Sequence, residues 1–431
     1  MKALLLFLLL VLIAPISYGA GGYFMIGYGP HARQLAGATT AVAGDAFAGS
    51  SNPAKLSEVG DRVDVGIDLF FPYRRVERRG SGTVYDFGTT SDRNVFPVPE
   101  GAISRRINDR WTWGVTLYGN GGLNTDYRGT NGVEGSSLAP QCGNRPSNFL
   151  FGCDKVGFDI LQLVVAPTLA WQMTPRNSVG IAPLFVAQRF QAYGLQAFDA
   201  FSSNPGDVTN RGKDWSFGAG VRVGWYSKVR PWLRLGVAYS TKVYMEKFEK
   251  YEGLLAQGRL DIPANYSLGI AILPTNRLTF SFDYQRIEYG EVKANGNGIL
   301  NSLLDPVNNP LGSSTGSGFN WENQDNIRFG LAYEYSPKLV LRTGYAYGGQ
   351  VQRDKSLNSV TFNMLAPNPI HQIAFGFSWM PFKHQELNFA YTHFLALDYS
   401  GPSASSVFGI GGIEDVKAQV NTVMLGWSWK H

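Results

Sequence analysis

Trp215-Ser216-Phe217-Gly218-Ala219-Gly220-Val221-Arg222-Val223-Gly224-Trp225 divides cleanly into two faces. In an extended chain Trp215, Phe217, Ala219, Val221, Val223 and Trp225 lie on one side and Ser216, Gly218, Gly220, Arg222 and Gly224 on the other, because strand side chains alternate with a period of two. A soluble sandwich hides its apolar face and shows charge on the other. Here the polar face is small and mostly neutral, and tryptophan stands at both ends of the apolar face. Such a strand suits a membrane barrel, with lipid on one side, a lumen on the other and aromatic girdles at the row ends.

The same alternation recurs outward from this stretch. Trp111, Trp113, Val115 and Leu117 form one apolar row, and Leu161, Leu163, Val165, Pro167, Leu169 and Trp171 another. Later rows include Leu278 to Tyr284, Ile327 to Tyr335, Ile373 to Trp379 and Leu387 to Leu395. The chain closes on Val423, Leu425, Trp427 and Trp429, alternating like the terminal strand that outer-membrane barrels show to their assembly machinery, although the last in-phase residue is His431 rather than Phe. Tight Pro- and Asn-containing turns near 174–177, 228–231, 274–276, 336–338 and 381–384 alternate with long connections near 120–158, 243–262, 291–324, 348–368 and 398–417. Short turns on one side and long loops on the other complete the pattern. The rows predict fourteen antiparallel strands, near 62–76, 95–107, 111–119, 159–173, 177–194, 213–227, 231–246, 263–273, 277–290, 325–335, 339–348, 370–380, 386–397 and 418–430.

Composition supports this class. Only 16% of the 431 residues are charged, against about 25% in soluble domains, while 51 glycines and 13% aromatics remain. Beyond the first 20 residues no apolar run approaches the length of about 20 that a spanning helix needs. Residues 1–19 read as a secretory leader: Lys2, an apolar run from Leu4 to Ala14, Pro15, then small Ser17 and Gly19 before the cleavage point. Cys142 and Cys153 share the first long loop of an exported chain, and we expect them to be bridged as a staple. The five histidines are scattered, and no HExxH or GxSxG motif occurs, so neither metal, cofactor nor catalytic residue is expected. The net charge of +5 comes partly from Arg74, Arg75, Arg78 and Arg79 and from Arg105 and Arg106. These sit at strand ends, facing lipopolysaccharide and other outer-membrane lipid head groups or the barrel rim rather than nucleic acid.

Residues 20–61 do not alternate. Their Ala/Gly-rich stretch from Ala36 to Ser51 and the turn Asn52-Pro53-Ala54 suit close packing in a narrow space, so we expect a weakly helical hatch in the lumen of a barrel spanning 62–431. The hatch, with Gly27-Tyr-Gly-Pro-His-Ala-Arg-Gln-Leu-Ala-Gly-Ala38, Gly44-Asp45-Ala46 and Asn52-Pro53-Ala54, resembles that of the FadL-type outer-membrane transporters of long-chain fatty acids and hydrocarbons. The resemblance continues through Asn108-Asp109-Arg110-Trp111, Tyr118-Gly119-Asn120-Gly121-Gly122-Leu123-Asn124, Gln188-Arg189-Phe190 and Asp261-Ile262-Pro263-Ala264-Asn265-Tyr266.

That resemblance implies a monomeric 14-stranded barrel plugged by its N-terminal segment. It implies uptake of a hydrophobic small molecule through a loop groove, an apolar pocket, a hatch shift and a lateral gap at a kinked strand. By position in the family, Arg189 is the candidate for binding a fatty-acid carboxylate, with a lumen or rim ion pair as the alternative role. Leu138, Phe149, Leu150 and Phe151, with Leu300, Leu303 and Leu304, are candidates for the apolar groove, or else pack the loops together. Phe24, Asn52, Pro53 and Ala54 are candidates for the gate. A general diffusion porin and an outer-membrane lipid hydrolase are the competing functions. The pre-barrel segment argues against the first, and the missing Ser-His motif against the second.

Overall fold

The computed structural model describes residues 22–128, 142–352 and 369–430. Fourteen long strands form the wall: β1 Arg62–Arg79, β2 Phe96–Arg106, β3 Trp111–Asn124, β4 Gly157–Thr174, β5 Asn177–Tyr193, β6 Asp214–Arg230, β7 Leu233–Ser240, β8 Asn265–Thr275, β9 Leu278–Ile287, β10 Gln324–Ser336, β11 Leu339–Gly348, β12 His371–Phe382, β13 Gln385–Pro402 and β14 Ile413–Lys430. Each pairs antiparallel with its sequence neighbours, and β14 pairs with β1 from Arg62–Lys430 to Arg79–Ile413. Closure leaves no free sheet edge along this seam.

The wall differs from the expected strands mainly at the loop side. β3 continues to Asn124, and β13 and β14 reach Pro402 and back to Ile413. Each of the last two has 18 residues, more than the roughly 9–11 that cross the hydrocarbon layer. The surplus continues as paired strand, with β14 still joined to β1 and β13 up to Ile413. β7 instead stops at Ser240, and a two-residue strand, Tyr244–Met245, turns back onto β6. Phe87–Thr90 adds a short hairpin arm to β1.

Alternation sorts the side chains. Phe185, Phe217, Phe329 and Phe375 stand exposed on the outer face, while Ser216, Arg222, Arg328 and Ala374 are buried inside. Trp111 and Trp171 stack near the short-turn end, with ring centres 5.7 Å apart.

Residues 22–61 fold inside the wall. They comprise α1 Pro30–Gln34 and two 3₁₀ turns, Ala46–Ser50 and Pro53–Glu58. Proline at the first helical position starts α1 and the second turn, which suits a residue with no N–H to donate. Small side chains let this compact segment touch wall backbone on many sides. Gly180, Gly224, Gly236, Gly269, Gly344, Gly376 and Gly426 all lie where a Cβ would strike it. These seven of the 51 glycines are explained by this requirement for close approach.

Candidate functional site

An apolar cavity lies at the loop end of the lumen. The barrel supplies Phe158 and Ile160 from β4 and Phe190 from β5, and the loops supply Leu195, Phe198, Leu254, Leu255, Leu260, Leu303, Leu311 and Phe319. Phe190 meets Phe158 at 5.9 Å and Tyr251 edge-on at 4.9 Å, so the walls are packed rings rather than mobile chains. The polar side chains in the lining are those of Ser302 and Ser317, and none is charged. The cavity therefore offers burial to an apolar molecule but no counter-charge to an anion.

Arg189 does not face this cavity. Phe190 points inward, so the alternation sends Arg189 outward, to the face carrying Trp215 and Phe217. There it is buried and donates to both oxygens of Asp159, at 2.9 and 3.1 Å. Its guanidinium also lies 6.0 Å from the Trp215 ring centre. The carboxylate it holds is the protein's own.

The inner segment is pinned by charge. Arg33 Nε meets Asp68 Oδ2 of β1 at 2.7 Å, and His31 Nε2 meets Glu386 Oε1 of β13 at 3.0 Å. Glu100 of β2 accepts from Gly29 N at 2.8 Å, and Asp283 of β9 accepts from Thr40 N at 2.7 Å. Gln34 donates to the carbonyls of Phe377 and Phe389. Asn52 accepts from Ala54 N, closing its own turn, and donates at 3.0 Å to the carbonyls of Thr40 and Trp225. Pro53 begins the turn, and the Ala54 carbonyl accepts from Ser178 Oγ at 3.0 Å. Lys55 Nζ donates to the Thr39 carbonyl, and burial pushes its amine down to about 8. Near the cavity, burial raises the phenols of Tyr23 and Tyr289 above their ordinary value.

Beside this segment the wall opens. The β2–β3 ladder runs from Arg106–Thr112 to Gly101–Leu117, and beyond it the strands part. Pro97 and Pro99 occupy the parted stretch of β2, which still pairs with β1. Two residues apart, they remove N–H donors from the same strand edge. Across the gap, β3 carries a bulge between Gly119 and Gly121 in its pairing with β4. The freed backbone of β3 pairs instead with the inner segment: Met25 N donates to Asn120 O at 3.1 Å, and Gly122 N to Tyr23 O at 2.9 Å.

The model of the outer membrane protein transport family (OMPP1/FadL/TodX) matches residues 26–423. The chain belongs to this family. Among solved structures, this chain resembles the Pseudomonas putida toluene transporter TodX at a TM-score of 0.67 with 16% identity, covering 94% of this chain and 99% of that one. A Pseudomonas aeruginosa FadL homologue matches at 0.67 with 14% identity over 95% and 99%. The Ralstonia pickettii toluene transporter TbuX matches at 0.63 with 18% identity over 94% and 99%. No curated protein matches the sequence. As a family member, this is an outer-membrane transport protein.

Within this barrel, the loop residues expected to form a groove separate. Leu303 lines the cavity. Leu304 is exposed and Leu300 half-buried. Phe149 stacks on Phe87 at 4.8 Å, Leu150 is buried in the same cluster, and Phe151 lies between Tyr85 and Phe408. These three pack loop against loop. Leu138 lies outside the described residues, as do the leader and His431. Cys142 and Cys153 are disulfide-bonded. Phe24 bridges to Gly121 at the wall gap and touches Tyr289 with its ring. Of the arginines expected at head groups, Arg78 is fully buried against Glu414 at 2.6 Å, and Arg74 is also buried. The barrel contributions Phe158, Ile160 and Phe190 went unrecognised in the sequence. Their signal is large apolar side chains on the lumen phase of strands that elsewhere place small or polar groups there.

Proposed function

We propose that this protein carries small, uncharged, apolar molecules across the outer membrane. The observation that carries this reading is the cavity lining, which combines aromatic and aliphatic side chains with no charged group. An apolar solute gains by leaving water for such a lining, whereas a fatty-acid carboxylate would enter it unpaired. The toluene transporters TodX and TbuX share the fold.

The route runs from the loops into the cavity, past the hatch formed by residues 22–61, and out between β2 and β3. Phe319 lines the cavity and meets Trp321 at 5.4 Å, and Trp321 meets Tyr23 at 5.9 Å. A cargo that shifts Phe319 thus presses on the segment covering the gap. Cells expressing the protein should take up labelled toluene faster than cells lacking it, with no matching gain for oleate. Preferential oleate uptake would overturn the neutral-cargo reading. Deleting residues 20–54 should raise ion conductance in planar bilayers, and unchanged conductance would remove the hatch from the route.

A further inference from the structure

Each short turn of the barrel carries an exposed cation: Arg110 between β2 and β3, Arg176 between β4 and β5, Arg230 before β7, Arg277 before β9, Lys338 before β11 and Lys383 before β13. None of them meets a carboxylate among the described residues. Asp109 is the one acid in these turns. The loop end is built differently. There Arg79, Arg93, Arg145, Lys155, Lys247 and Arg286 each pair with a carboxylate, at 2.7 to 3.6 Å. The short-turn end, which faces the periplasm in outer-membrane barrels, therefore keeps its positive charge uncompensated. Arg277 lines the lumen mouth with Arg234 and Arg342. The other five stand at turns around the rim.

We propose that Arg110, Arg176, Arg230, Lys338 and Lys383 form a ring that gathers anionic phospholipids, such as phosphatidylglycerol, in the periplasmic leaflet. Aromatic neighbours set the depth of the ring. Trp111 follows Arg110, and exposed Trp232, Tyr335 and Phe382 lie within three residues of Arg230, Lys338 and Lys383. Tryptophan and tyrosine sit at the head-group level of a membrane, and long cationic side chains reach from there to the phosphates. Consecutive turns stand two strands apart, about 10 Å, too far for neighbouring cations to converge on one small anion. A ring of single charges suits a charged lipid surface instead.

The test reconstitutes the full-length protein in phosphatidylcholine vesicles with spin-labelled phosphatidylglycerol or phosphatidylcholine. Electron paramagnetic resonance then reads the fraction of each label immobilised at the barrel. A lipid that meets one cation at a time gains at most about fivefold, so we expect a preference for phosphatidylglycerol of roughly 2- to 5-fold. The variant Arg110→Gln, Arg176→Gln, Arg230→Gln, Lys338→Gln and Lys383→Gln should bring the two labels close to parity. Arg79→Gln with Lys417→Gln, at the loop end, should keep the preference. A heat-modifiable mobility shift confirms that each variant is a folded barrel. No preference in the unaltered protein, or an undiminished one in the five-residue variant, overturns the proposal. Sedimentation with peptidoglycan sacculi that depends on the five cations, without any lipid preference, also overturns it and makes the ring a cell-wall contact.

Discussion

Phe24 of the inner segment is bridged to Gly121 of β3 just where β3 has lost its partner β2. The segment thus supplies the missing strand. A Cβ at Gly121 would collide with the Tyr23 carbonyl. Gly121→Val should expel Tyr23–Met25 from the gap while leaving the β3–β4 ladder intact. The expected result is a leak in planar bilayers and protease cleavage near Tyr23, with unchanged heat-modifiability. A closed, protease-resistant variant would show that Phe24 does not seal the wall.

Asp68 and Arg33 test how the inner segment is held. Both are buried and paired, so removing one partner leaves an uncompensated charge, a cost of about 3–5 kcal/mol. Asp68→Asn should loosen α1 and raise conductance. Arg33→Met combined with Asp68→Leu replaces the pair by apolar contact and should restore closure, since such replacements are often neutral. Equal leakage from the single and double variants would argue that α1 is held by its other contacts alone.

The wall was legible in the sequence because alternation is local. A period of two in Trp215–Trp225 or Leu278–Tyr284 needs no distant partner to be read, and closure follows from an even number of such rows. The inner segment was legible as a compact small-residue stretch, but not its fastening. Asp64, Asp68, Glu100, Asp283 and Glu386 are scattered singly over different stretches, so the lumen face reads as nearly neutral until the barrel brings them around residues 29–46. Arg189 shows a second limit. Family position makes it a cargo residue, yet alternation with Phe190 places it on the outer face, and its partner Asp159 is set by cross-strand register.

Arg189→Leu should accordingly leave the toluene-to-oleate uptake ratio unchanged. It strands buried Asp159, so the loop end of β4 and β5 should become less stable, visible as a lower unfolding midpoint. Asp159→Leu in the same chain should recover most of that loss. A change in the uptake ratio from Arg189→Leu alone would return this residue to the cargo path.

Lys55 predicts how the stability of the inner segment varies with pH. Its amine titrates at about 8 in the folded chain against 10.5 when free, because burial disfavours the charged form. The folded state holds this proton less tightly than the unfolded state. Below about pH 8 the inner segment therefore carries the full cost of a buried ammonium, and that cost is relieved as pH rises from about 8 toward 10.5. Amide protection of residues 38–42, around the Thr39 carbonyl that Lys55 bonds, should increase over this window. Lys55→Met removes the titrating group and should give a flat profile at the high-pH level. A profile that still rises in the Lys55→Met variant would assign the pH dependence to another group.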